Sequence, residues 1–160
     1  VELIHVGPAH TTGDVIVHLP GEGIVFTGDV LFRQCAPLGW EGTFERWIEA
    51  LETVAGLGAD TVVPGHGPVC GPEGALEMRD YLAWVRDLSR SAFETGKSLE
   101  EACLSIDLGP FGEWIESERV VSQVARAYRE LEGHPFDAPV EFTRHVEIMS
   151  RLRERASSRA

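Results

Sequence analysis

Hydrophobic positions change their period once along this chain, near Glu73. Before that point they come in short, nearly unbroken runs. Leu3-Ile4-His5-Val6, Asp14-Val-Ile-Val-His-Leu19 and Gly23-Ile-Val-Phe-Thr27 each read as a strand, and Asp60-Thr-Val-Val63 as a fourth. Pro20-Gly21 marks a tight turn between the second and third, which predicts a hairpin. Between the third and fourth runs, Phe44, Trp47, Ile48, Leu51, Val54 and Ala55 recur at helical spacing behind Thr43, a suitable N-cap. Gly56 and Gly58 end that helix. Strands this apolar are expected to be covered on both faces or to lie in a sandwich core.

Beyond Glu73 the period is helical. Leu76, Tyr81, Leu82, Val85, Leu88 and Phe93 follow one face of a long helix ending near Phe93. Ser98 with Glu101 forms a capping box before Ala102 and Leu104. Gly109-Pro110 breaks the chain. Val120, Val121, Val124, Tyr128 and Leu131 mark one more helix, and Phe142, Val146, Met149 and Leu152 a last one. The order strand, strand, strand, helix, strand suits an α/β layered fold. There is no internal repeat.

Composition narrows the function classes. Of 160 residues, 43% are hydrophobic, enough to bury a core, and no apolar run approaches the roughly 20 residues of a membrane span. The formal charge of −12 argues against nucleic acid as a partner. The one basic cluster, Arg151-Leu-Arg153-Glu-Arg155, reads as a solvated helix end. Three cysteines, Cys35, Cys70 and Cys103, form no C-x-x-C pair, which points to a reducing, cytoplasmic setting.

The candidate chemistry sits at the strand ends. Gly7-Pro-Ala-His10-Thr-Thr-Gly-Asp14, Phe26-Thr-Gly-Asp29 and Pro64-Gly-His66-Gly67 each put one metal-capable side chain beside a strand, with Asp29 just past the third and His66 just past the fourth. Two imidazoles and a carboxylate on rigid strand ends make a divalent-metal site of the water-activating kind. Taken singly, each has a plainer reading: a hydrogen-bonded core histidine, a turn-forming aspartate, a loop Gly-His-Gly. Their ordered occurrence favours the metal site. Thr11 and Asp14 stand beside it, either to orient ligands or, for Asp14, merely to begin a strand. Arg33, Cys35 and Trp40 follow Asp29 and are candidates for a substrate mouth, with core packing the alternative for Trp40. Cys35 and Cys70 flank two of these loops.

On these three motifs the sequence resembles the metallo-β-lactamase-fold hydrolases over roughly Glu2 to Cys70. The resemblance implies part of an αββα sandwich over residues 1–72, its second sheet and helix, followed by a helical extension over 73–160. It implies two divalent ions, zinc first with iron or manganese as alternatives. His10 would serve the first ion, Asp29 would bridge both, and His66 would serve the second. A hydroxide held between them would attack an ester, thioester, lactone or related bond of a small-molecule substrate. The family's H-x-H-x-D-H signature is absent from this sequence. Together with a start at Val1, this leads us to expect the second half of a larger domain, inactive or nearly so by itself. We further expect its sheet to be covered by the missing N-terminal half or a second chain. The competing reading is a non-catalytic interaction or regulatory module that keeps half of the fold. A diiron redox protein ranks last, since no flavin domain is present.

Overall fold

A computed structural model describes residues 1–157. Four strands, β1 (Glu2–His5), β2 (Val15–Leu19), β3 (Ile24–Phe32) and β4 (Thr61–His66), form one sheet in the order β1-β2-β3-β4. The first two pairings are antiparallel, and β3 pairs with β4 in parallel. The parallel pair is joined through α1 (Phe44–Gly56), as a parallel crossover requires. The helices α2 (Glu73–Glu94), α3 (Leu99–Ser105), α4 (Val120–Leu131) and α5 (Phe142–Ser157) follow. This is a mixed α/β fold, one four-stranded sheet layered against helices.

Strand alternation sorts the sheet into two unlike faces. Ile16, Val25 and Val62 point inward and are fully buried beneath the helices. The register aligns Leu3 with Val17, Val17 with Phe26 and Phe26 with Val63 in one row across the opposite face. Leu3 and Phe26 in that row are exposed, as is Val15 beside them.

Two strands run further than the sequence pattern indicates. β3 continues through Gly28 and Asp29 to Phe32, so Asp29 lies within the strand rather than past it. Register shifts on both sides of Gly28, whose φ is +52°, bend the strand there. β4 continues through Pro64 to His66. Pro64 is tolerated because β4 is an edge strand, where a missing N–H leaves no ladder bond unmade.

Thr43 caps α1 by accepting from Arg46 N, and the reciprocal Ser98–Glu101 capping box opens α3. α2 packs on α1 and α4 and buries Ala75, Met78, Tyr81, Leu82 and Val85. Leu88, placed on the buried stripe by its spacing, is exposed instead. The larger departure is α4. The sequence marks Val120, Val121, Val124 and Tyr128 as its apolar positions, yet every residue from Val120 to Tyr128 is buried, Ser122, Gln123 and Arg126 included. Helices surround α4, so its polar face meets protein rather than water. The basic tail of α5 is not simply solvated: Arg151 pairs with Glu100, Arg153 with Glu118, and Arg155 donates to the Leu104 carbonyl.

Candidate metal centre

His10 lies in the turn between β1 and β2, and Asp14 shapes that turn. One Asp14 oxygen accepts from the backbone of Ala9 at 3.3 Å and of Thr11 at 2.8 Å, and the other accepts the Thr11 hydroxyl at 2.7 Å. Val6 and Gly7 both donate to the Asp14 carbonyl, closing the base of the turn. Short side chains that capture nearby backbone N–H groups hold such a loop without secondary structure.

His10, Asp29 and His66 come together. His10 Nε2 is 3.7 Å from one oxygen of Asp29, and His66 Nε2 is 3.5 Å from the other. β4 can approach Asp29 this closely because residue 65 is glycine. A Cβ there would stand 2.6 Å from the Gly28 carbonyl carbon and closer still to the Asp29 carboxylate.

A row of rings supports the two imidazoles. Phe32 lies between them, its centroid 5.7 Å from His10 and 4.6 Å from His66, with which it is nearly parallel. Trp47 meets His10 edge-on at 5.5 Å, and its indole N–H donates to the Val30 carbonyl at 2.8 Å. The Arg126 guanidinium lies 4.9 Å above the Trp47 ring. Phe32 is held by its own N–H, which reaches the Met78 sulfur at 3.1 Å. Phe32, Trp47 and Arg126 were not legible as site residues. The available signal for Arg126 is a lone arginine between two alanines inside an apolar helix pattern.

The other residues singled out from the sequence have their side chains engaged elsewhere. The Arg33 guanidinium pairs with Glu77 of α2, while the Arg33 backbone N–H donates to the His66 carbonyl at 2.8 Å. Cys35 lies beside Glu116 and Arg119, and burial pushes its thiol above the ordinary range. Burial likewise raises the Cys70 thiol. Trp40 packs edge-on against Phe142 of α5 at 5.4 Å. All three cysteines are free.

The donor set has a definite character. Each oxygen of one carboxylate faces a different imidazole, so an ion beside either ring would find one imidazole and one carboxylate oxygen. That falls short of the three protein ligands a catalytic zinc uses. Among the described residues no group of three such side chains is arranged to hold an ion. The three residues are of metal-capable types, and among the described residues they leave a metal's ligand shell incomplete.

Residues 1–66 match the family model of the metallo-beta-lactamase superfamily. A hydroxyacylglutathione hydrolase of Brucella anthropi is 34% identical over 87 residues, covering 54% of this chain and 31% of that protein. One of Brucella ovis is 36% identical over 66 residues, covering 41% of this chain and 24% of the relative. Among solved structures, a metallo-beta-lactamase family protein from Thermus thermophilus superposes with a TM-score of 0.60 at 19% identity, over 82% of this chain and 44% of that one. The sec-alkylsulfatase Pisa1 of a Pseudomonas species gives 0.64 at 14%, over 88% and 25%. At these identities the two structures speak for the fold alone. The matched region spans about a third or less of the curated relatives' length.

Proposed function

Because residues 1–66 match the family model of the metallo-beta-lactamase superfamily, we propose that the protein carrying this chain is a metal-dependent hydrolase of small molecules. One observation carries the reading: His10 and His66 stand against opposite oxygens of Asp29. Asp29 would be held in common by the metal centre, with His10 as a ligand on one side and His66 on the other. Bound there, two divalent ions, zinc first, supply water activation and polarisation of the scissile bond. The chain's own residues provide orientation. Asp14 and Thr11 hold the His10 turn, the Arg33 N–H holds the His66 carbonyl, and Phe32 spaces the two rings.

Two donors for each ion make the isolated chain inactive or nearly so. The remaining ligands come from further polypeptide, which also covers the row of Leu3, Val17, Phe26 and Val63, since monomers rarely leave such a face in water. Three free thiols suit a cytoplasmic setting. The names of the two curated relatives favour acyl-glutathione thioesters as the first substrates to try, ahead of esters and lactones.

Metal analysis of the full-length protein, followed by hydrolysis assays on thioesters, esters and lactones, tests this. The expected result is two divalent ions per chain and zinc-dependent turnover. No bound metal and no hydrolysis would favour the alternative, a non-catalytic module, which the incomplete donor shells also suit.

A further inference from the structure

The most heavily buried charge among the described residues has no part in the scheme above. Arg126 is 2% exposed at the centre of α4, outside the stretch matched by the family model. Its Nη2 donates to the Ala9 carbonyl, the residue before His10, at 3.2 Å. Its guanidinium carbon lies 4.9 Å above Trp47 and 5.3 Å above Phe44. Glu130, one turn on, stands 3.6 Å from its Nε and accepts the Phe44 N–H at 2.9 Å. Its Nε and Nη1 are buried without a hydrogen-bond partner.

Stability alone does not account for such a residue. Buried cations with unmade hydrogen bonds destabilise, and an apolar side chain of similar volume usually does as well or better. What Arg126 does uniquely is geometric. It touches both supports of His10: the peptide that leads into it and the indole on which its ring packs. Ala9 is then held from both sides, its N–H by Asp14 and its carbonyl by Arg126. A planar guanidinium can donate in its plane while stacking on a ring, and an ammonium cannot.

We propose that Arg126 is a positioning residue for His10, reaching from the helical half to fix the Ala9 carbonyl and the Trp47 ring so that the imidazole meets its ion in one orientation. The proposal rests on His10 being a metal ligand. It makes α4 part of the site's supporting framework and predicts that metal binding depends on a residue outside the recognised motifs.

The test uses the full-length protein, with zinc alone as probe, in competition with a chromogenic chelator. Nitrogen-resolved NMR of the histidine side chains is recorded on metal-free and zinc-loaded samples. Arg126→Met should weaken zinc binding at one of the two positions by about 10–100-fold, the range for lost supports of a ligand. It should also shift the His10 ring resonances in both samples and leave the melting temperature near that of wild type. Arg126→Lys should weaken zinc almost as much, and it supplies the answer if the methionine variant does not fold. Val124→Ala, a cavity on the same helix, should lower the melting temperature and leave zinc affinity and the His10 resonances unchanged. Wild-type zinc affinity in both Arg126 variants, or equal loss in Val124→Ala, overturns the proposal. His10→Ala separates the two ideas. If it binds zinc as wild type does, the ligand assignment fails. Positioning is then judged on the metal-free His10 resonances, which must move in Arg126→Met and not in Val124→Ala.

Discussion

His10 and His66 face the same carboxylate at nearly the same distance, yet the protein around them differs greatly. The His10 side chain is 18% exposed, wedged between Phe32 and Trp47, in a turn stapled by Asp14 and reached by α4. The His66 side chain is 48% exposed at the end of an edge strand, stacked on one face of Phe32. One imidazole packs against the core, and the other rests on its rim. The contrast teaches that a pair of imidazoles can be equivalent in chemistry and unequal in support. The His10 ring is held in place by its surroundings, whereas the His66 ring depends on its strand and on whatever covers it.

Asp29→Ala breaks the comparison outright, because both imidazoles lose their common partner. In the full-length protein, metal content should fall and turnover should drop on the order of 10³-fold or more, the scale of losing several kcal/mol of transition-state stabilisation. Elemental analysis and steady-state rates on the best substrate measure both; normal values for each would mean the site is misread.

Gly65→Ala attacks the rim side alone. The added Cβ collides with the Gly28 peptide and the Asp29 carboxylate, so β4 must retreat and carry His66 with it. A destabilisation of about 1–3 kcal/mol is expected, with loss of the second ion before the first. A denaturant midpoint and a zinc titration read these two effects. Equal loss of both ions would show that the strand end and the turn respond as one unit.

Paired alanine substitutions sharpen the contrast further. His10→Ala removes ring contacts with Phe32 and Trp47 and should cost about 1–2 kcal/mol of stability even without metal. His66→Ala, half exposed, should stay within about 0.5 kcal/mol. Chemical unfolding of the metal-free proteins compares them, and similar costs would erase the distinction between core and rim.

The smallest effect concerns a histidine away from the carboxylate. Burial holds the His145 pKa below its ordinary value, Arg129 and Arg144 push the same way, and Glu141 opposes them. The folded state therefore prefers the neutral ring. Protonation favours unfolding, so this stability is present above about pH 6.5 and declines as pH falls below it. Replacing His145 with Phe should flatten the loss between about pH 7.5 and 5.5 by about 1 kcal/mol or less. Urea midpoints at the two pH values test this, and an unchanged slope would assign the acid sensitivity to other groups.

How far the chain could be read depends on how local each signal is. The strands and helices of the described residues, and their order, follow from hydrophobic period, because a half-buried strand and an amphipathic helix write their repeat into neighbouring residues. The cap at Thr43 and the box at Ser98 and Glu101 are equally local. The three motifs single out His10, Asp29 and His66 because Gly and Pro punctuate strand ends. The extent of β3 and β4 was less legible. A bulge at Gly28 and a proline on an edge strand look like stop signals until pairing shows that the strand continues.

Sequence by itself thus determined the element order, the α/β class and the identity of the three candidate donors. Only the tertiary structure decided that each oxygen of Asp29 meets a different imidazole, that Phe32 and Trp47 set the two rings, and that Arg126 touches the Ala9 carbonyl from a helix more than a hundred residues away. It also decided that α4 is buried on every side from Val120 to Tyr128. The physical reason is range: a residue's period and caps are fixed by neighbours within a turn or two, but burial and partners are fixed by whichever distant elements pack around it. A buried arginine carries no local mark of what it will touch.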